Sequence, residues 1–231
     1  MITTLTGSRT HPGLWLVPTG LVLLSMIPVV IGGLRLTELG GGPEIIPANP
    51  RFAGFVVPVI SHIISATIFS MVGALQFLPA LRRGKRSWHS IAGRSLIPAG
   101  IVVALSGLWL AAFLPHPAGD GTLLLVIRLT FGSYMVLSLL LAIRALARRS
   151  FVAHGAWMTR AYALGVAAGT QAITVIPGSI VFGDTHELSR AVAIGVAWFI
   201  NLAVAELVIY RRRLRLAERL GANHPANHHV W

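Results

Sequence analysis

The sequence contains no cysteine among its 231 residues. Disulfide bonds, thiolate metal sites and cysteine nucleophiles are therefore excluded. Charged side chains are also scarce, at 11% of the chain, whereas soluble domains carry roughly a quarter. The sequence also lacks the motifs of phosphate loops, Rossmann domains, metalloprotease helices and nucleophile elbows. It therefore carries none of the common signatures of nucleotide or hydrolytic chemistry.

The sequence is instead rich in apolar residues. Hydrophobic side chains make up 55% of the chain, and the mean hydropathy is +0.74. They fall in blocks of about 20 residues, the length that crosses a hydrocarbon core of roughly 30 Å as a helix, and they lack the alternation of a membrane barrel strand. The sequence therefore predicts an all-α, polytopic membrane helical bundle in a lipid bilayer.

The apolar blocks predict six spans in a single integral membrane domain over residues 1–231. The first is expected to remain in the protein, because the opening MITTLTGSRTHPG lacks the features of a cleaved signal peptide. The fifth is expected to end at Pro177-Gly178, the sixth to stop against Arg211-Arg212-Arg213, and residues 214–231 to form a tail that begins with a short interfacial helix. Residues 37–50, rich in Gly and Pro, predict an outer loop able to act as a lid. The predicted spans are residues 14–34, 55–78, 93–114, 123–145, 156–176 and 191–210.

Positive charge dominates the loops on one side of the predicted bundle. The chain has 19 Lys and Arg against seven Asp and Glu, a net charge of +12. Such an asymmetry marks the cytoplasmic side, so we expect a multi-pass protein of the cell inner (plasma) membrane with both termini in the cytoplasm. Nucleic acid is not an expected partner, because no aromatic-interleaved basic face accompanies the charge. Most of the basic residues lie in Arg82–Arg94, Arg144–Arg160 and Arg211–Arg219.

Two basic stretches share one layout. Residues 80–94, ALRRGKRSWHSIAGR, and residues 145–160, ALARRSFVAHGAWMTR, both open with Ala-Leu and place a His nine residues after the Ala. An Arg follows five or six residues later. This repeat predicts two similar hairpins, spans 2–3 and spans 4–5, that form a four-helix core flanked by spans 1 and 6.

The repeated motif supplies the first candidate site. His89 and His154 open corresponding spans, and a haem between two helices needs one His from each at matching depth. Arg94 and Arg160, one to two turns deeper, would then hold haem propionates through bidentate hydrogen bonds. The alternative is that all four anchor helix ends at the membrane interface or cap carbonyl groups.

Four further polar residues lie within predicted spans, where they usually face a cavity or a partner. His62 and Arg128 are expected at similar depth near the outer side, as cofactor-binding groups. Alternatively, His62 forms a hydrogen bond with a backbone carbonyl or with Ser65, and Arg128 snorkels to the head groups. Gln76 is a cofactor-binding candidate or a cross-helix hydrogen-bonding residue. Glu206 predicts either a salt bridge to Arg160 or Arg94, or a proton donor or acceptor.

Three functions follow from these candidates, and the sequence leaves open whether the chain is an enzyme. The first is membrane redox chemistry with haem b or a quinone, with iron bound by His89 and His154. The second needs no cofactor: an enzyme acting on a lipid-soluble, prenylated substrate, such as a small membrane terpene cyclase, in which one acid protonates the substrate and aromatic rings stabilise cations. The third is a non-enzymatic transporter or assembly subunit. The candidate acids of the second are Glu206, Asp184, Glu187, Asp120 and Glu44.

Several of these residues also carry a resemblance. His62, Gln76-Phe77-Leu78-Pro79, the motif WHSIAGR of residues 88–94 and the motif HGAWMTRAYAL of residues 154–164 resemble a bacterial family of predicted membrane proteins, domain of unknown function 2306, over residues 55–176. That resemblance implies a membrane bundle and no settled activity. A more distant likeness, to cytochrome b561-type six-helix proteins, implies paired His ligands. Because Arg128 stands in span 4 where that type has a His, it implies at most one haem.

Overall fold

The structure is a computed structural model that describes residues 13–47, 49–52, 54–78, 86–183 and 185–222, except the side chains of residues 13, 14, 86–89, 221 and 222. Over these residues it is all-helical, without a strand, which confirms the predicted fold class. A 3-10 turn, Pro50–Phe52, precedes the second helix. The α-helices are α1 (Gly13–Leu39), α2 (Val56–Leu75), α3 (Arg86–Phe113), α4 (Thr122–Ala147), α5 (Phe151–Gly165), α6 (Ala167–Phe182) and α7 (Glu187–Ala222).

Five of these helices, α1, α2, α3, α4 and α7, are long and apolar enough to cross a membrane. The pair α5 and α6 passes the same test as one span bent by 41°, which gives up to six. Large apolar side chains remain exposed along the spans, Leu16 at 72%, Val57 at 74% and Ile180 at 78% among them. Such apolar surfaces are stable among lipid tails. A helix also satisfies its backbone polar groups internally, as a segment that crosses a membrane must.

The chain divides into two compact units, residues 1–115 and 116–231. In the first, α2 packs against both α1 and α3. Helix α1 approaches α2 closely at Gly32, where an added methyl group would come within 2.8 Å of the Ile63 side chain; small residues allow such close packing in membranes. At the end of α1, Arg35 pairs with Glu38 and donates to the Pro47 carbonyl at 3.1 Å, which ties the following loop to the helix.

The second unit contains α4 to α7. Helix α4 packs against α5 and α7, and α7 also packs against α5 and α6. Its core joins Leu124 of α4 to Ala191 and Ile194 of α7. Further along the same two helices, Phe131 of α4 stacks on Trp198 of α7 with ring centroids 5.0 Å apart. Both contacts run in the same order along the two helices, so α4 and α7 are parallel.

Several predicted helix ends differ from the structure. Helix α7 does not stop at Arg211-Arg212-Arg213 but continues to Ala222, because arginine and leucine are good helix formers and nothing in RRRLRLAERLGA breaks the helix before Gly221. Helix α3 begins at Arg86, seven residues before the predicted start at residue 93. The predicted fifth span is two helices, and α6 runs through Pro177 to Phe182. The outer loop predicted from residue 37 begins after Leu39.

Candidate functional site

A tight turn between α4 and α5 positions His154. The Ser150 amide donates to the Ala145 carbonyl and the Arg149 amide to the Leu146 carbonyl, both at 2.9 Å, which is the bond pattern of a Schellman helix end. Arg149 adopts the left-handed conformation that this end requires, with φ at 57°. Helix α5 starts at the next residue but one, so the His154 ring is held beside the last turns of α4.

The imidazole of His154 has a defined tautomer. Its Nδ1 lies 2.9 Å from the Ala142 carbonyl oxygen, and a carbonyl only accepts hydrogen bonds, so Nδ1 carries the proton and donates it. In the neutral ring Nε2 then has a free lone pair, and it makes no hydrogen bond to the part of the chain that the structure describes. The carbonyl contact expected as an alternative role is present, and it leaves the ligand nitrogen available.

His89 shares the helix position of His154. Each is the fourth residue of its helix, α3 and α5 respectively, which agrees with the repeated motif of the sequence. The side chain of His89 lies outside the described residues. Arg94, further along α3, is exposed. Haem ligation by the two histidines stays a prediction.

Arg160 and Glu206 form a bidentate ion pair that joins α5 to α7. Arg160 Nε donates to Glu206 Oε1 at 2.5 Å, and Nη2 donates to Oε2 at 2.8 Å. The guanidinium also lies over the Trp157 ring, 4.4 Å from its centroid. The salt bridge expected for Glu206 is therefore confirmed with Arg160 as its partner. The guanidinium edge proposed to hold a haem propionate already holds a carboxylate of the protein.

A second charged cluster lies at the opposite end of α4 and α7. Asp120 accepts hydrogen bonds from Arg128 Nη1 at 2.6 Å and from Arg190 Nε at 2.7 Å, and its side chain is 2% exposed. Arg128 was expected to bind a cofactor or to snorkel; it instead reaches back to Asp120, two residues before its helix begins. Arg190 was not predicted as a site residue, because neither its position at the start of a span nor its 70-residue distance from Asp120 signals the contact.

Asp120 is ionised in this cluster. Burial acts to raise the pKa of its carboxyl group, but the hydrogen bonds and positive charges of Arg128 and Arg190 outweigh that effect. The pKa of Asp120 therefore lies below its ordinary value of 3.8. A carboxylate held in this way is a poor proton donor at neutral pH, so Asp120 suits the role of structural anion better than that of catalytic acid.

The other predicted acids are dispersed. Glu187, the first residue of α7, is exposed and lies against Gly121, where an added methyl group would clash with its carboxylate. Glu44 is exposed in the loop after α1, and Asp184 falls outside the described residues. No three His, Asp or Glu side chains within the described ranges converge in a way that would hold a metal ion.

In the first unit, His62 contacts α3. Its Nδ1 lies 3.0 Å from the Ser106 hydroxyl oxygen, and that hydroxyl donates to the Val102 carbonyl at 2.5 Å. The contact with Ser65 that the sequence suggested is not made: the serine beside His62 is Ser106 of α3, and the Ser65 hydroxyl donates to the Ser61 carbonyl. Gly107 makes room for the ring: a methyl group there would lie 3.3 Å from His62 Cε1.

We expect the substitution Gly107→Ala to displace the His62 ring and to destabilise the protein. The matched substitution Gly93→Ala, in the same helix with nothing within 4 Å of the added methyl group, should be neutral or stabilising by up to about 1 kcal/mol, because Ala favours helix. Overpacking costs about 1 to 3 kcal/mol. Comparing the thermal unfolding of the two variants in detergent tests this; equal melting temperatures would contradict it.

Gln76 lies directly after α2, where its amide is buried. Neither Oε1 nor Nε2 has a hydrogen-bond partner, although buried amides in native proteins are nearly always paired. The cross-helix hydrogen bond considered from the sequence is therefore not made with any described residue. This unsatisfied amide keeps Gln76 a candidate binding residue.

The break between α5 and α6 is fastened by Asn201 of α7. The Thr170 hydroxyl donates to Asn201 Oδ1 at 2.8 Å, and Asn201 Nδ2 donates to the Ala163 carbonyl at 2.9 Å. All of these groups lie close to Val166, where the helix bends, and Asn201 and Thr170 are buried. A bend exposes carbonyl oxygens that a straight helix would satisfy, and side-chain donors must replace the lost bonds. Asn201 was not among the candidate site residues predicted from the sequence.

The profile of one protein family, described as a predicted membrane protein (DUF2306), matches residues 59–209. No curated protein and no solved structure matches the chain. The matched region covers α2 to α7 as far as the Ile209 turn, so it includes the His154 turn, both ion-pair clusters and the helix break. The chain therefore belongs to the DUF2306 family of predicted membrane proteins.

Proposed function

We propose that this protein takes part in membrane redox chemistry and that the imidazole of His154 meets the redox group, a haem b or a quinol. The observation that carries the proposal is the hydrogen bond from Nδ1 to the Ala142 carbonyl, which leaves the Nε2 lone pair free. A His that ligates a metal typically donates its other ring N–H to a carbonyl or carboxylate in this way. The same lone pair can accept a hydrogen bond from a quinol hydroxyl.

The remaining residues fit a haem only in part. His154 would bind the iron through Nε2, because Nδ1 donates to the Ala142 carbonyl, and His89 occupies the matching helix position of α3. Arg160, by contrast, is bound bidentately by Glu206, so propionates would have to find other cations. This mismatch does not affect a quinol, which carries no carboxylate.

Replacing His154 with Ala should abolish the pigment or the quinol reaction. If haem b is bound, the purified wild-type protein should show the alpha band of reduced haem, and the variant should lose most of it, since it lacks a residue that would hold the haem. If the protein is colourless, it should oxidise a short-chain quinol when a soluble electron acceptor is supplied, and the variant should not. Replacing His89 with Ala in parallel tests the motif partner.

His186→Ala is the matched control. His186 is exposed and accepts a hydrogen bond from the Ser189 amide, so its loss changes the histidine count but not the His154 site. A wild-type protein that is colourless after expression with excess haem and inactive toward quinols would overturn the proposal. So would a His154→Ala variant that folds and keeps full pigment or activity.

The alternatives fit the geometry less well. A terpene cyclase needs a protonated acid, yet Asp120 and Glu206 are both paired with arginine; Glu187 is the described acid that best keeps this alternative open. A transport function is favoured by the broken span, because such breaks form substrate and ion sites in transporters. Here, however, Asn201 and Thr170 already satisfy each other and the Ala163 carbonyl.

We further propose the orientation that the charge distribution predicts. The Arg144–Arg160 and Arg211–Arg219 clusters lie in the cytoplasm, with both termini, and the Asp120 cluster faces the outer side of the inner membrane. The parallel packing of α4 and α7 supports this orientation, because it puts the basic residues at the carboxyl ends of both helices on the same side of the membrane.

A further inference from the structure

The end of α7 that follows Tyr210 carries five arginines within nine residues, from Arg211 to Arg219, and one acid, Glu218. The helix continues through this segment without a break. Arg211, Arg213, Arg215 and Arg219 are exposed, and none of the four makes an ion pair with a residue that the structure describes. We call residues 211–220 the basic arm.

The depth of the basic arm follows from the ion pairs of α7. Arg190 and Glu206 form ion pairs with the rest of the second unit, and Arg212 adds a hydrogen bond to the Thr159 hydroxyl at 3.5 Å. Arg190 and Glu206 are sixteen residues apart, or roughly 24 Å at the rise of an α-helix. A hydrocarbon core of roughly 30 Å that is centred on this stretch ends about 3 Å beyond each of the two residues. Arg211 comes five residues, roughly 8 Å, after Glu206. The head-group layer on each side of a bilayer is about 5 to 7 Å thick, so the arm begins at the lipid phosphates.

We propose that the basic arm binds the head groups of anionic phospholipids in the adjoining leaflet. Arg211, Arg215 and Arg219 recur every four residues and so form one stripe along the helix. Guanidinium groups bind phosphate oxygens bidentately, and a cluster of basic residues just outside a span is attracted to anionic lipid by about 1 kcal/mol for each charge near the surface. Glu218 is the one acid within the arm, and no described residue pairs with its four exposed arginines, so these arginines can bind anions from outside the chain.

Exposed leucines strengthen the choice of lipid. Leu216 and Leu220 lie on a face next to the arginine stripe and are 43% and 64% exposed. A helix that tilts toward the membrane would bury these side chains at the acyl boundary while its arginines remain among the phosphates, as interfacial amphipathic helices do. A soluble acidic protein would explain the charge but not the position of the arm at the membrane surface.

The test uses the absence of cysteine in the chain. A Leu216→Cys variant of the full-length protein is labelled with a fluorophore and placed in vesicles of phosphatidylcholine and phosphatidylglycerol, one of which carries a nitroxide quencher at the same acyl position. We expect labelled phosphatidylglycerol to quench the fluorophore more strongly than labelled phosphatidylcholine. The relative affinity for phosphatidylglycerol should fall about fivefold for each arginine removed near the phosphates.

The decisive comparison is between two triple variants of equal net charge. R211A/R215A/R219A, which removes the stripe, should lose the preference, whereas R144A/R148A/R149G, which removes three arginines from the α4–α5 turn, should keep it. Raising the ionic strength should weaken the preference in the unsubstituted arm, and this measurement does not depend on how the variants fold. The proposal would be overturned if both labelled lipids quench the protein with an unsubstituted arm equally. It would also be overturned if the two triple variants lose the preference for phosphatidylglycerol to the same extent.

Discussion

Replacing Asp120 with Asn is expected to lower the free energy of unfolding by about 3 kcal/mol, because removal of one member of a buried ion pair leaves the remaining charge uncompensated. Here two guanidinium groups, those of Arg128 and Arg190, would lose the carboxylate that they share. Both are partly exposed, at 27% and 31%, so solvent limits the effect to the lower part of the range measured for buried pairs. Unfolding in mixed micelles of increasing SDS content measures the change.

Glu187→Gln is the control for this prediction. It removes a carboxylate from the same end of α7, but Glu187 is exposed and forms no ion pair with the residues described. Its substitution should change stability by less than about 0.5 kcal/mol. Equal free energies of unfolding for Asp120→Asn and Glu187→Gln would show that the cluster contributes no stability.

The contribution of Asp120 should also depend on pH. Because its pKa is lower in the folded protein than its ordinary value of 3.8, the unfolded chain takes up the proton first as the pH falls. The stabilisation is therefore fully present above about pH 5 and is lost progressively below about pH 4. The difference in stability between the wild-type protein and Asp120→Asn should narrow over that acidic range.

The second large effect is expected for Asn201→Leu, which keeps the size of the side chain and removes both of its hydrogen bonds. The Ala163 carbonyl and the Thr170 hydroxyl would stay buried without these partners. A buried polar group left unsatisfied costs about 1 to 3 kcal/mol, although single hydrogen bonds between membrane helices contribute only about 0.6 kcal/mol on average. We expect a loss of about 2 kcal/mol, together with faster amide hydrogen exchange around Val166.

Thr170→Val provides the matched control, because it removes only one of the two bonds. It should cost about 1 kcal/mol or less. The double variant should be less destabilised than the sum of the two single variants, since both remove the same Thr170–Asn201 bond. Strict additivity, or an Asn201→Leu variant as stable as the wild-type protein, would contradict the role assigned to Asn201.

Part of the candidate site could be read from the sequence. Glu206 is the only acid inside a predicted span, and few cations lie at its depth, so its pairing with Arg160 was among the two choices considered. The repeat likewise placed His89 and His154 at one helix position. The Asp120 cluster could not be predicted in this way, because an isolated loop carboxylate and two distant arginines have no common pattern until α4 and α7 pack side by side.

The helix break and the unbroken continuation of α7 into the basic arm were missed for another reason. Hydropathy measures only how well a segment dissolves in lipid, so it registers neither a bend within an apolar run nor a helix that continues past the membrane into water. Val166 lies among apolar residues on both sides, and Arg211-Arg212-Arg213 looks like a stop although arginine favours helix.

The sequence by itself determined that this chain is a helical membrane protein, because about twenty consecutive apolar residues in lipid must satisfy their backbone groups locally, and a helix does so without help from the rest of the chain. Only the tertiary structure decided which polar groups meet. Partners such as Asp120 and Arg190, or Asn201 and Ala163, are tens of residues apart in the sequence. Their contact depends on how the helices pack, and packing is determined by the shapes of the side chains and not by composition.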